Sequence, residues 1–422
     1  MGGKGAITLD FVIRDGNDGL KKLILDADGF HKIIKYTVQV SEQMQNNLFK
    51  LAATATSIQA AANAVQQLNG VMQNLTAESF DFDKAMRAAN TMAGKDSEGF
   101  KQLKGEVADL AKQIPIARDQ LANGLYQVVS NGVPEDNWIS FLETSAKSAV
   151  GGIADINKVV GVTSTLIKNY GLEWDAAAEI QDKIQLTAKN GVTSFEQLAQ
   201  ALPRVAGNAA TLGVSIDELM GTFATLTGVS GNTAEVSTQL AAIFTALVKP
   251  SSEAAEMAAK MGIQFDAAAI QAAGGFQNFL QQLNGSVKAY SQATGTLEQE
   301  VYGKLFGSAE ALRALIPLQG ELADKFTANV NGMVNSAGTM SAAFEEMGST
   351  NDATTQRLKN QFAVFTDMIA KITSGIQPYM SFGAELLNTG ASAAVLATSF
   401  KQLNVQQALL AVRAKSVNML IW

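Results

Sequence analysis

The chain contains no cysteine and only one histidine among its 422 residues, and aromatic residues (7%) and prolines (six) are also few. The absence of cysteine excludes disulfide bonds, thiolate nucleophiles and cysteine-ligated zinc or iron–sulfur sites, and it fits assembly in a reducing cytoplasm. Charged residues make up 17% of the chain, below the roughly 25% of typical soluble domains. The net charge of −7 is spread along the sequence, so we expect no sequence-specific nucleic-acid binding.

Long apolar runs are missing as well. No stretch of about 20 apolar residues is present to span a bilayer. The nearest case, residues 51–77, is uncharged but carries seven Gln and Asn residues, which predicts a polar helix instead. Residues 1–5 lead into charged positions rather than the apolar core of a signal peptide, and Ala6 stands where N-myristoylation requires Ser or Thr.

Few prolines and abundant alanine favour helix, so the sequence predicts a mainly α protein. Residues 1–27 are the exception, because apolar side chains occupy every second position from Ile7 to Ile13. A turn-forming segment, Asp15–Gly19, and a return strand over residues 20–25 then predict a small β-hairpin. Such a hairpin is too small to be stable alone, so we expect it to pack on a helix or a neighbouring subunit.

Residues 28–80 are predicted to form a long, coiled-coil-like helix. Its apolar positions are spaced alternately four and three residues apart: Met44, Leu48, Leu51, Ala55, Ile58, Ala62 and Val65. Asn69 takes the next position in this series. A 3.5-residue repeat is typical of a supercoiled seam, in which a polar Asn fixes register at some cost in stability. Two interpretations stay open: an amphipathic helix that lies on its own domain, and a self-associating coiled coil.

Residues 81–315 are predicted to form a multi-helix bundle. Ser194 with Gln197 and Ser215 with Glu218 match the capping box that begins a helix. Glycines recur where one helix should end before the next begins, and we expect each in the left-handed conformation after its helix: Gly171, Gly191, Gly213 and Gly262.

The texture of the sequence loosens after this bundle. Gly, Asn, Ser and Thr are frequent in residues 316–350, which we predict to be a flexible connector. Residues 351–422 should form further amphipathic helices, one from near Asp352 and one from Leu396 to Trp422. The chain stops on apolar residues without a cap, so we expect the native polypeptide to continue or the gene to be truncated.

The sequence predicts no catalytic or metal-binding site. His31 has no second histidine or cysteine with which to bind a transition metal, and it reads as a packed or surface residue. The carboxylates that invite a hydrolase comparison are Asp324 and Glu345–Glu346 in the predicted connector, and Glu298 and Glu300 beside Lys304. We read them as solvated faces and an i, i+4 ion pair between Glu300 and Lys304, not as an acid and base across a cleft.

Motifs for nucleophilic catalysis and phosphate binding are absent too. No serine stands in G-x-S-x-G, and the glycine-rich segments Gly228–Gly231 and Gly94–Lys95 lack phosphate-loop spacing and read as turns. The sequence therefore predicts no catalytic residue, no cofactor, no metal site and no enzyme activity.

The middle of the chain resembles the N-terminal domain of phage tail tape measure (minor tail) proteins. The order and spacing of many short segments over roughly 230 residues carry this resemblance, since no single one is specific: Phe82–Met86, Leu103–Lys112, Leu121–Leu125, Gly171–Thr187, Ser194–Leu198, Gly213–Leu219, Leu226–Gly228, Thr238–Ser251, Met261–Ile263 and Lys304–Gly307.

The resemblance implies a structural scaffold inside the tail tube, whose length sets tail length during assembly and which leaves at DNA ejection. It implies partners among the tail tube protein, tail assembly chaperones and baseplate or tail tip proteins, three or six copies in a homo-oligomer, and contact with the host membrane at ejection. The protein would lie in the tail lumen of the virion and, during assembly, in the host cytoplasm. Fully helical, 422 residues would span roughly 600 Å.

An alternative of another class is a membrane-active or cell-wall-lytic injection component of a phage tail-like particle. It would need a spanning helix or a catalytic cleft, and the residues predict neither. A bacterial coiled-coil receptor or secretion-needle scaffold would suit the heptad seam, but the pattern in residues 81–315 does not call for it.

Overall fold

Two short strands and a succession of helices are described by the computed structural model, which covers residues 7–10, 22–25, 77–361, 363 and 367. Strands β1 (Ile7–Asp10) and β2 (Lys22–Leu25) pair antiparallel, with Ile7 opposite Leu25 and Asp10 opposite Lys22. The turn between them lies outside the described residues, so the hairpin as a folded unit stays a prediction. The heptad seam, His31 and the helix predicted from Leu396 also lie outside them.

The helices from Glu78 to Thr366 form one compact unit, and the remaining residues belong to a second. The first helix, α1, is described over residues 77–93. The helices that follow in the first half are α2 (Ser97–Gln113), α3 (Arg118–Ser130), α4 (Trp138–Gly151), α5 (Ile156–Tyr170), α6 (Ala177–Asn190), α7 (Phe195–Ala201), α8 (Ala206–Thr211) and α9 (Ile216–Ser230). Short 3₁₀ turns interrupt the chain at Glu135–Asn137, Trp174–Ala176 and Leu202–Arg204.

The second half of this unit is equally helical. Its helices are α10 (Thr233–Val248), α11 (Ser252–Met261), α12 (Ala267–Ala273), α13 (Phe276–Thr294), α14 (Glu298–Phe306), α15 (Ala309–Gln319), α16 (Ala323–Met333), α17 (Thr339–Gly348) and α18 (Asn351–Gln361). The mainly α fold class is thereby confirmed.

Both predicted capping boxes are present. Ser194 begins α7 and Ser215 begins α9, and each hydroxyl accepts the backbone N–H three residues on while that residue's side chain accepts the N–H of the serine. Asp96, Asp155, Asn232, Ser251, Asp266 and Ser308 cap other helices through a side-chain oxygen alone. These caps satisfy backbone donors that a helix start leaves without partners, so polar residues at the loops define where the helices begin.

Three of the four glycines expected in the left-handed conformation adopt it, namely Gly171, Gly213 and Gly262. The prediction is wrong for Gly191, which is extended with φ −102° and ψ −177°. Its backbone passes so close to α9 that an added Cβ would lie 2.3 Å from the Thr227 hydroxyl oxygen. A glycine is needed there because of a close approach between segments, not because of its own backbone angle.

Helix α9 is the centre of the bundle. Its ten residues from Glu218 to Thr227 are all buried, and it packs against α6, α10 and α16. A helix that is buried on all sides needs apolar or small side chains around its whole circumference, and the sequence of α9 provides them. Outside this centre, α4 packs on α17, α10 on α15, α11 on α14, and α2 on α18.

The flexible connector predicted for residues 316–350 is wrong, because this segment forms the end of α15, all of α16 and all of α17. Phe326, Asn329 and Met333 follow helical spacing along α16 and are buried. Asn329 donates to the Thr225 hydroxyl at 2.9 Å, which lets a polar residue occupy a core position. The buried stripe is narrow and partly polar, so the sequence resembled a loop.

The domain boundary predicted at residue 315 is displaced for the same reason. The compact unit runs from Glu78 to Thr366, so α18, which the sequence places among the C-terminal helices, belongs to it. Asp324, Glu345 and Glu346 accordingly lie on helices rather than in a loose segment, and all three are exposed.

Candidate functional site

The residues that invited a catalytic interpretation are not brought together by the fold. Glu300 and Lys304 form the predicted i, i+4 ion pair on α14, with 2.7 Å between the ammonium nitrogen and a carboxylate oxygen. The hydrogen bond that Lys304 donates to Glu300 raises the pKa of the lysine. Within the part of the chain that the structure describes, no three His, Asp or Glu side chains lie close enough to share a metal ion.

Instead, buried polar side chains of the described residues form hydrogen bonds and ion pairs between helices. Gln181 on α6 is fully buried. Its amide donates to the hydroxyls of Thr163 on α5 at 3.2 Å and Ser145 on α4 at 3.4 Å, and its carbonyl accepts from Ser148 on α4 at 2.6 Å. One side chain thus joins three helices. Replacing one partner would leave buried polar groups without their hydrogen bonds, which makes the arrangement specific for this packing.

A second contact between helices is an ion pair of Lys183. The Lys183 side chain on α6 is 8% exposed and pairs with Asp217 at the start of α9 and with Glu179 at 3.0 Å. Burial by itself lowers the pKa of Lys183, but the hydrogen bonds to Asp217 and Glu179 outweigh it and leave the pKa above its ordinary value. The pair with Asp217 fixes the start of α9 against α6.

A third contact between helices is made by the Glu218 carboxylate, which accepts hydrogen bonds at the starts of two helices. Glu218 accepts the backbone N–H of Ser215 at 3.0 Å within its own capping box, and its other oxygen accepts the backbone N–H of Gln277 in the first turn of α13 at 2.9 Å. A negative charge at two helix N-termini is favourable because both present unpaired N–H groups and the positive end of the helix dipole. Burial raises the pKa of the nearby Tyr170, and the Glu218 charge raises it further.

Asp182 makes a comparable link to the start of α17, within the segment that the sequence predicts to be a connector. Its two carboxylate oxygens accept the backbone N–H groups of Gly338 at 2.9 Å and Met340 at 2.7 Å, where α17 begins. The capping box of Ser215 with Glu218 and the pair of Lys183 with Glu179 are local and can be read from the sequence. The links between different helices have little sign in the sequence, since each joins residues that are distant along the chain. Gln181 alone carries a local signal, because it falls on the same face of α6 as the buried Ala177 and Ile184.

The described cavities are small. A groove of about 470 Å³ near the start of α2 includes Lys95, Glu135 and Trp138, and its lysine is already engaged: it pairs with Glu135 and lies 5.4 Å from the centre of the Trp138 ring. A cavity of about 120 Å³ between α13, α15 and α16 includes Gln277, Asn284 and Gln319 and is large enough for a few water molecules. None of the described helices is long and apolar enough to cross a membrane.

These buried polar side chains therefore join helices to one another. Known proteins similar to this chain are found among phage tail proteins. The family described as phage-related minor tail protein matches residues 104–307, a little under half of the chain. The probable tape measure protein of Clostridium phage phiCD119 is 24% identical over 371 residues, which cover 85% of this chain and 38% of that protein. The tape measure protein of Pneumococcus phage Dp-1 is 21% identical over 316 residues, which cover 71% of this chain and 26% of that protein.

The chain thus spans well under half the length of these relatives. No solved structure matches it. The matched residues 104–307 lie within the helical unit and include most of α2 and all of α3 to α14. Residues 104–307 are therefore similar to phage-related minor tail proteins, and the chain as a whole is similar to two tape measure proteins.

Proposed function

We propose that the chain acts as a tape measure protein: a scaffold of the phage tail whose length sets tail length during assembly and which is released when DNA is ejected. The match of the minor tail family to the helical unit, together with two relatives named as tape measure proteins, carries this proposal. The matched residues make up only 38% and 26% of these relatives, so the function of the whole relatives is proposed, not shown, for this chain.

The role we propose is mechanical and not enzymatic. The engaged polar side chains of the core support it, because Gln181, Lys183 and Glu218 bind other helices or helix starts. Their chemistry is committed to holding the bundle together. The lytic or membrane-active alternative is not favoured, and release of peptidoglycan fragments or leakage of liposomes by the purified protein would revive it.

The proposed partners are those of a protein built into a tail. We infer contacts with the tail tube protein, with tail assembly chaperones and with baseplate or tail tip proteins, and three or six copies in each tail. The protein would occupy the tail lumen in the virion and the host cytoplasm during assembly, and it would meet the host membrane at ejection. The paucity of charge, 17% of residues, suits close packing against a tube and neighbouring copies.

Changing the length of the predicted long helix tests the ruler function. Removal of three heptads between residues 44 and 65 should shorten tails by roughly 30 Å, and a duplication of the same block should lengthen them by the same amount, since a helix rises about 1.5 Å per residue. Tail lengths are measured by electron microscopy of phage that carry the complete edited gene. Substituting the exposed Gln361 by alanine leaves chain length unchanged and serves as the control. Tails of unaltered length in both edits would reject the ruler.

A further inference from the structure

The point where the chain enters the helical unit is fixed by Arg118, the first residue of α3. Arg118 is 1% exposed, and its guanidinium lies 4.7 Å from the centre of the Phe82 ring on α1. The Arg118 Nε atom lies 3.7 Å from a carboxylate oxygen of Glu78, the first residue of the unit. The beginning of the unit is therefore held at the start of α3.

The point where the chain leaves the unit is fixed by Asn360 near the end of α18. Asn360 is 1% exposed, and its amide nitrogen donates to the backbone oxygens of Ala111 and Ile116 at 2.7 Å each, and more weakly to that of Ile114 at 3.4 Å. Ala363, the next described residue beyond α18, is also buried. These carbonyl groups lie at the end of α2 and in the connection that follows it.

Both ends of the unit therefore contact the same short connection, which joins Gln113 at the end of α2 to Arg118 at the start of α3. We propose that residues Glu78–Thr366 are a side domain of the ruler, which the chain enters and leaves at one place. This inference rests on the proposed tape measure function and deepens it, because it assigns the measured length to the segments that flank the domain.

The folded domain and a fully extended chain would add very different lengths to the ruler. As one continuous helix, about 290 residues would span roughly 430 Å. Folded as a domain, they have an expected radius of gyration of about 19 Å, and ends that share one connection are separated by roughly two helix diameters, about 20 Å. The folded domain therefore adds about one twentieth of the length that its residues would add if extended.

One insertion placed at two positions tests the inference in phage that carry the complete gene. The inserted block is a copy of residues 44–71, four heptads. The first position is directly after residue 71, where the block continues the heptad pattern. The second is the loop between α13 and α14 at Gly295 and Leu297, both of which are exposed. We expect tails about 42 Å longer from the first insertion, and tails of unchanged length from the second.

The outcomes distinguish the two proposals. Equal lengthening from both insertions would overturn the side domain, because it would show that residues of the unit are counted by the ruler. Lengthening from neither insertion would reject the ruler itself. If the loop insertion prevents tail formation, a second measurement decides: the chain has no cysteine, so Asp81→Cys and Gln361→Cys can carry a pair of spin labels in the otherwise unmodified protein.

That pair reports the separation of the ends directly. A single narrow distance distribution below roughly 30 Å is expected, which allows for the label linkers beyond the two helix diameters. Distances above about 40 Å, or a broad distribution, would overturn the side domain whatever the tail lengths show. Circular dichroism of the labelled protein checks that its helix content equals that of the unsubstituted chain.

Discussion

Substitution of Gly221 tests the packing of α16 on α9, the contact that replaces the predicted flexible connector. A Cβ added at Gly221 would lie 2.7 Å from Cγ2, 2.8 Å from the backbone nitrogen and 2.9 Å from Cα of Val330. Two of these three atoms are backbone, so no change of side-chain rotamer relieves the contact and α16 must move. Gly161 on α5 is the matched control, because a Cβ added there would meet nothing within 4 Å.

The two substitutions by alanine should change the free energy of unfolding in opposite directions. Alanine is favoured over glycine inside a helix by about 1 kcal/mol, so Gly161→Ala should stabilise the protein by roughly that amount. At Gly221 the same gain is offset by overpacking, which costs about 1–3 kcal/mol in a close-packed core. We expect Gly221→Ala to lower the free energy of unfolding by about 1 kcal/mol, and the two variants to differ by about 2 kcal/mol.

Denaturant unfolding of the two full-length variants, followed by circular dichroism, measures this difference. Hydrogen exchange of peptides from α16 locates it, because faster exchange should appear in residues 323–333 of Gly221→Ala and not of Gly161→Ala. Equal stabilisation by both substitutions, with unchanged exchange in α16, would refute the close approach of α16 to α9.

Two further predictions concern buried polar groups. Asn360→Asp should destabilise the link between α18 and the end of α2 by about 2–3 kcal/mol at pH 7, because a carboxylate would face three carbonyl oxygens. Stability should partly return below about pH 4, where the acid is protonated. The control is Gln361→Glu at an exposed position, which should change stability little. Hydrogen exchange of residues 351–361 at both pH values measures this, and unchanged protection at pH 7 would contradict it. Lys183→Met should be less stable than the unsubstituted chain at pH 7. Since the folded pKa of Lys183 is raised above 10.5, its contribution is complete below that pH and is lost as the pH rises through the folded pKa. The difference in denaturation midpoint should therefore shrink above pH 10.5, and a constant difference would show that packing, not charge, causes it.

Features that depend on neighbours three or four residues apart could be predicted from the sequence. The capping boxes at Ser194 and Ser215 are of this kind, as is the ion pair between Glu300 and Lys304, because a helix brings such residues together whatever surrounds it. The left-handed glycines at Gly171 and Gly213 follow the same logic, since they are set by the end of one helix.

Features that depend on distant segments could not be predicted. Gly191 looks like any glycine after a helix, and only the approach of Thr227 explains why it is extended. Asn329 looks like a loop residue until Thr225 is placed beside it, 104 positions earlier in the chain. A polar residue in a core position resembles a surface or loop residue unless its partner is known, which is why the sequence of α16 and α17 predicts a connector.

The same long-range contacts bear on how the proposed ruler is divided between a folded domain and its flanks. If residues 78–366 were only a loosely coupled series of helices, tension along the chain would pull them into line and their number would count toward length. Asn360 and Arg118 instead close the unit on one connection, so tension applied through the two flanks acts on neighbouring points and has to break buried contacts before it extends any helix. On the proposed function, a domain closed in this way keeps a fixed size while the flanks vary. The aligned part makes up only 38% and 26% of the two tape measure relatives, so most of the length of those proteins lies outside it. On our proposal, a change in residue number outside the domain would change the measured length, whereas a change inside it would not.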